Sequence, residues 1–265
     1  MPVLYLVGTP IGNLEDITPR ALQVLRDVSL IAAEDTRTAK QLLAHFDIRT
    51  PVTSYYEHNK LTKLDRILQA LEMGDVAVVS EAGMPGLSDP GYELVRAALA
   101  RNVQIVPVPG PSAILAALVG SGLAADGFYY LGFLPREPRL RRRLLRSVAR
   151  ETTTLIAFEA PHRLCETLQD LEEILDGREI AAARELTKVF EEFQRGPIPE
   201  VRRYFEEHEP RGEFTLVIAG AAERRGRAPS AEPWDAERVK SRVRRLLKQG
   251  VTRTEAVKRV ASESH

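Results

Sequence analysis

The chain opens on an unbroken apolar run, "VLYLVG" (3–8), and then repeats apolar residues every three or four positions in "TPRALQVLRDV" (18–28). The run predicts a strand buried on both faces. The spacing of Ala21, Leu22, Leu25 and Val28 predicts a helix with one apolar stripe. Thr18 stands where an N-cap hydroxyl belongs, with Pro19 at the first helical position. The two patterns then alternate: strands at "LIAAED" (30–35), "DVAVVSEAG" (75–83) and "VQIVPVPG" (103–110), helices at 38–46, 63–74, 90–102 and 111–122. Continuously apolar strands, each followed by a helix, imply a mostly parallel sheet covered on both faces.

"SGLAADG" (121–127) interrupts this rhythm with small and turn-forming residues, and "FYYLGFLP" (128–135) restarts it. Further strands are predicted at 152–161, 179–187 and 213–220, with helices at 163–176 and 199–207. The organisation is therefore two α/β domains, 1–119 and 120–222, and then a basic tail, 223–265. In the tail, "ERRGRAPSAEP" (223–233) reads as a linker, and "VRRLLKQGVTRTEAVKRVASE" (243–263) as two helices about a turn at Gly250, an arrangement like a helix-turn-helix.

Composition adds exclusions. At 44% apolar and 28% charged residues the chain is an ordinary globular one. The single cysteine, Cys165, excludes an internal disulfide and a multi-cysteine zinc site and fits a reducing compartment; it reads as a small core residue. The apolar runs fall well short of the roughly 20 residues a membrane span needs, and "MPVLYLVGTP" lacks the basic region of a signal peptide. The expectation is a cytoplasmic protein without a membrane partner.

Thirty-seven basic side chains balance 37 acidic ones, so the distribution of charge matters more than its sum. "PREPRLRRRLLRSVAR" (135–150) sets Arg136, Arg139, Arg141, Arg142, Arg143, Arg146 and Arg150 against Glu137, with Leu140, Leu144, Leu145 and Val148 as the apolar face. With nothing acidic nearby to pair these charges, phosphates are their natural complement and RNA contact is the favoured reading; a solvated amphipathic helix is the alternative.

In open α/β sheets ligands sit beyond the carboxyl ends of the strands. The loops there are "GTPIGN" (8–13), "EDTR" (34–37), "SEAGMPGLSDPG" (80–91), "PGPSA" (109–113), "FEAPHR" (158–163) and "RELTK" (184–188). Glycines admit a ligand close to the backbone, and prolines stiffen the wall against it. "GTPIGN" has neither the G-x-G-x-x-G spacing nor the lysine of a phosphate-binding loop. The helix N-terminus near Ser112 suits a carboxylate. Glu34, Asp35 and Arg37 form one group able to remove a proton and contact phosphate or ribose, Glu185 and Lys188 a second; in both, mutual ion pairing is the alternative. His58 lies in a polar stretch that would line an RNA entrance, and His162 beside Pro161 would shape a cleft. No His, Asp and Glu spacing resembles a metal site.

In order and spacing, "LYLVGTPIGNLEDITPRALQVL", "LIAAEDTR", "VVSEAGMPGLSDPGYELV", "VPVPGPSA", "GFLPR", "FEAPHRL", "ARELTK" and "GEFTLVIAG" resemble the bacterial small-subunit ribosomal RNA (cytidine) 2′-O-methyltransferases. Those enzymes belong to the tetrapyrrole-methylase-like (class III) S-adenosylmethionine-dependent methyltransferases. The resemblance covers residues 3 to about 222 and implies a cleft between two α/β domains that holds S-adenosylmethionine. Carried over position by position, it assigns Thr9, Pro10, Ile11, Gly83, Met84, Pro85, Leu87, Ser112, Ala113, Phe158 and Thr215 to the cofactor. Glu34, Asp35 and Glu185 are then the candidate catalytic groups. Arg37, Arg139, Arg142, Arg143, Arg146 and Lys188 are the candidate contacts to 16S ribosomal RNA of the small subunit. No metal is needed, and a homodimer is implied. Where the family has S-D-A-G-T-P, Glu81 and Met84 replace Asp and Thr, so a cofactor hydrogen bond at position 84 must come from backbone. A methyltransferase acting on a tetrapyrrole precursor and a non-catalytic RNA-binding module are the competing readings.

Overall fold

The apolar runs of the first half become parallel strands β1 (Val3–Val7), β2 (Leu30–Ala33), β3 (Val52–Ser54), β4 (Val76–Val79) and β5 (Gln104–Val108), in the order β3-β2-β4-β1-β5. The computed structural model describes residues 2–56, 60–87, 91–222, 236–249 and 252–263; His58 and the 223–233 segment lie outside them. Alternate strand residues feed two cores. Val7, Ile31, Ala33, Ala77 and Val79 pack with α1 (Pro19–Asp27) and α2 (Thr36–His45) on one face. Leu4, Ala32, Val76 and Val78 pack with α3 (Lys60–Met73) and α4 (Tyr92–Ala100) on the other. Burial on both faces is why these strands read as continuous apolar runs. The Thr18 hydroxyl accepts from Ala21 N–H at 3.1 Å and starts α1, a cap that contributes about 1 kcal/mol. Adjacent strands β1 and β4 send the chain in opposite directions, to β2 and β5, and so open a crevice at their carboxyl ends.

The second sheet, β6 (Phe128–Phe133), β7 (Thr154–Glu159), β8 (Glu179–Arg184), β9 (Glu192–Pro197) and β10 (Phe214–Ile218), has the order β6-β7-β10-β8-β9. Of its described pairings β6–β7 is parallel and the rest are antiparallel, unlike the first sheet. Helices α6 (Pro138–Ser147), α7 (Leu164–Ile174) and α8 (Ile198–Glu207) cover one face. The other face carries α5 (Ala113–Ser121), which follows β5 of the first sheet yet packs on Ile156, Ala181 and Val217 of the second. Strands β3 and β9 carry no periodic signal. The first is three residues long; the second, "EFQRGP", is an edge strand whose Gly196 and Pro197 a central strand would not accommodate.

Residues 1–221 form one compact unit and 222–265 another. In the second, α9 (Ala236–Lys248) and α10 (Arg253–Glu263) pack through Leu246, Ala256 and Val260. Among the described residues no helix is long and apolar enough to cross a membrane.

Candidate functional site

The loops after β1, β4 and β5 lock together through backbone. Gly8 N–H donates to Val108 O at 3.1 Å, and Thr9 and Gly83 exchange both of their backbone hydrogen bonds at 2.9 and 3.1 Å. The buried Thr9 hydroxyl is turned to the carbonyls of Ser80 and Gly83, at 3.5 and 3.4 Å. A Cβ on Gly8 would lie 2.8 Å from both Gly110 Cα and Met84 Sδ, and Gly83 has a φ of +77°, so both positions require glycine. Gly83 also borders Ile11 and the Pro111 carbonyl. The "PGPSA" loop ends in a cap: Ser112 Oγ accepts from Leu115 N–H and begins α5. Met84 and Pro85 stay within this rim, whereas Leu87 is exposed.

The second sheet faces the rim. Ile11 and Ala113 pack with Phe158 and Leu186 under α5. In register, Thr215 of β10 lies between Phe158 of β7 and Ala183 of β8. Rings of Tyr130 and Phe133 flank Phe158 at 5.5 and 5.3 Å. Gly12 closes the rim against Lys188, whose Cγ would be 2.5 Å from a Cβ placed there. This approach, like that of Gly8 to Gly110, joins segments far apart in sequence, and sequence reasoning missed it; the glycines were its one visible signal. Pro10 and Thr9 line a cavity of about 140 Å³ bounded also by Leu14, Thr38, Gln41, Leu42 and Glu81.

The three candidate carboxylates have different surroundings. Asp35 caps α2: its Oδ1 accepts from Arg37 N–H at 2.6 Å and Thr38 N–H at 3.4 Å, and its Oδ2 meets Arg37 Nη2 at 2.8 Å. Hydrogen bonds from the Arg37 guanidinium and N–H, then that from Thr38, hold the Asp35 carboxyl at about 2. Arg37 itself is 88% exposed. Glu34 is half-buried, and burial pushes its carboxyl up; the Glu81 N–H that donates to Oε2 at 3.2 Å opposes this, while the charges of Glu81 and Asp35 add to it. Glu185 is also pushed up by burial, but Lys188 Nζ at 3.0 Å and Glu213 N–H at 3.3 Å outweigh that and hold it low. Glu185 and Thr187 have φ of +49° and +67°. Left-handed backbone at two non-glycine residues persists where surroundings over-determine it.

Helix α6 corrects the reading of the arginine run. Arg141 points inward, 2% exposed, with Nε 2.6 Å from Asp170 Oδ2, and Arg142 Nε lies 2.6 Å from Oδ1 of the same carboxylate. Arg142 also reaches Glu173, and Arg141 reaches Glu166. An acid on α7, 29 and 28 residues away, thus pairs two of the arginines that have no acid beside them in sequence. Leu140, assigned to the apolar face, is exposed instead. Arg139, Arg143 and Arg146 are exposed and have no ion-pair partner among the described residues. His162 is exposed in a short turn, Pro161–Arg163, and Cys165 packs against the α7–α8 core with its thiol donating to Phe205 O.

Two α/β layers meet at a glycine-lined rim, and the fold is that of the tetrapyrrole methylases. The chain belongs to the tetrapyrrole (corrin/porphyrin) methylases, whose family model matches residues 3–202. It is 48% identical over all of its length to a Synechocystis protein named ribosomal RNA small subunit methyltransferase I, covering 94% of that protein. A Thermotoga maritima protein of the same name is 48% identical over 221 residues, 83% of this chain and 99% of that one. Among solved structures, a Thermus thermophilus uroporphyrin-III C-methyltransferase complexed with S-adenosyl homocysteine aligns with a TM-score of 0.59 at 20% identity, over 83% of this chain and 97% of that one.

Proposed function

We propose that the protein transfers the methyl group of S-adenosylmethionine to the ribose 2′-hydroxyl of a cytidine in the decoding region of small-subunit ribosomal RNA. The observation that carries this is the 48% identity over the whole chain to a protein named for methylation of that RNA. The tetrapyrrole alternative has support at 20% identity, which reaches as far as the fold.

The cleft suits the cofactor. Its walls are the backbone of the Gly8–Gly12 and Gly83–Pro85 loops, the small or apolar Ile11, Ala113 and Phe158, and Thr215; Lys188 is tied to Glu185. That is a lining for a nucleoside with no phosphates to neutralise, which accounts for the missing phosphate-loop lysine. When bound, S-adenosylmethionine supplies an electrophilic methyl group on a sulfonium. The ribose oxygen must lose its proton as its bond to that carbon forms. Glu34 is our candidate acceptor: Oε2 holds the Glu81 N–H, while Oε1 has no hydrogen-bond partner among the described residues. Asp35 then positions α2 and Arg37, and Glu185 with Lys188 fixes the loop against Gly12. Exposed Arg37, Arg139, Arg143 and Arg146 hold RNA phosphates, with Arg142 contributing less because Asp170 already engages it.

The reading extends to a cytoplasmic setting and to a homodimer, which the exposed aromatic residues Phe128, Tyr129 and Phe133 of edge strand β6 support. A competition assay tests the substrate: with S-adenosylmethionine limiting, small ribosomal subunits should be methylated and a uroporphyrinogen should not. The opposite preference refutes the proposal.

A further inference from the structure

We propose that the second unit, residues 222–265, is a docking element for RNA phosphates that raises affinity for the substrate and takes no part in methyl transfer. This rests on the reading that RNA is the substrate. Charge is divided unevenly along the chain. The last 44 residues hold 12 Lys and Arg against six acids, so residues 1–221 hold 25 against 31. A body that is net acidic by six repels a polyanion at long range, and binding must be made through local basic surfaces.

The geometry of the unit provides one. Val239, Val243 and Leu246 of α9 meet Ala256 and Val260 of α10 in a small core of their own. That packing leaves Arg244, Arg245 and Lys258 exposed on the outside. Arg259, by contrast, is engaged by Glu255 at 3.1 Å. A short helical pair that buries little and displays guanidinium and ammonium groups binds phosphate through charge rather than through shape, with an affinity that falls steeply with salt. The Thermotoga maritima relative aligns over 221 residues, 99% of its own length, which is the length of the first unit of this chain.

The test uses the full chain with Arg244→Gln, Arg245→Gln and Lys258→Gln combined, at exposed positions outside the α9–α10 core. Binding to small ribosomal subunits is measured against salt concentration, alongside kcat, KM for the subunit and affinity for S-adenosylmethionine. The slope of log affinity against log salt should become shallower by about three, near one for each phosphate no longer neutralised. KM should rise about tenfold, with kcat and cofactor affinity within twofold. Arg244→Lys with Arg245→Lys should keep the original slope. An unchanged slope and KM overturn the proposal. A fall in kcat with the slope intact overturns it as well. If the unaltered chain methylates no RNA, the substrate reading has failed, and the salt slopes still decide the docking element.

Discussion

At the residue scale, Glu34 and Asp35 are neighbours in sequence with opposite surroundings. Glu34→Gln keeps size and hydrogen bonding but removes the proposed proton acceptor, so kcat should drop about 10²–10⁴-fold. Calorimetry should show cofactor affinity nearly unchanged. A rate within threefold of the original would remove Glu34 from the mechanism. Because burial raises the Glu34 carboxyl above its ordinary 4.5, the acid limb of the kcat/KM profile should fall above that value as the base becomes protonated. Asp35 is shifted the other way. Its folded value of about 2 lies below the ordinary 3.8, so its contribution to stability is complete above about pH 4 and fades as pH falls towards 2. Asp35→Ala should therefore act mainly on stability at neutral pH, lowering the melting temperature by a few degrees through loss of the α2 cap. Gly8→Ala should lose cofactor binding together with stability, since its Cβ would strike the Gly110 backbone.

At the scale of elements, helix α6 has two faces with different work. Breaking the Arg141–Asp170 pair, 2% and 1% exposed, with Asp170→Asn should cost about 3–5 kcal/mol in denaturant unfolding, because the buried guanidinium loses its close partner and keeps only the exposed Glu166 at 3.6 Å. Arg139→Gln, Arg143→Gln and Arg146→Gln together should leave unfolding unchanged and weaken RNA binding. A melting temperature that moves instead would assign these residues to packing. Strands β1, β2, β4 and β5 of the parallel first sheet were legible in sequence as apolar runs, whereas the three-residue edge strand β3 was not. Strand β9 was not, because an edge strand has no buried pattern to display. Arg141 was misread for a related reason: its partner lies on another helix, and no local spacing announces a buried acid at position 170. The cleft was legible as a set of Gly and Pro loops, but which loops touch, Gly8 on Gly110 and Gly12 on Lys188, needed the folded chain.

At the scale of the molecule, a net charge of zero conceals an acidic body and a basic tail, and the tail's separate core makes that division structural. On the reading proposed above, one family fold, matched over residues 3–202, serves a polymeric substrate by keeping chemistry in the cleft and adding grip through basic surfaces outside it. The central claim is methyl transfer to a ribose oxygen of small-subunit RNA. Its most direct measurement is nucleoside mass spectrometry of RNA from small ribosomal subunits incubated with the protein and S-adenosylmethionine. The account predicts stoichiometric 2′-O-methylcytidine at one position, absent with Glu34→Gln. A methyl group on a base, or none on the RNA at all, would contradict it.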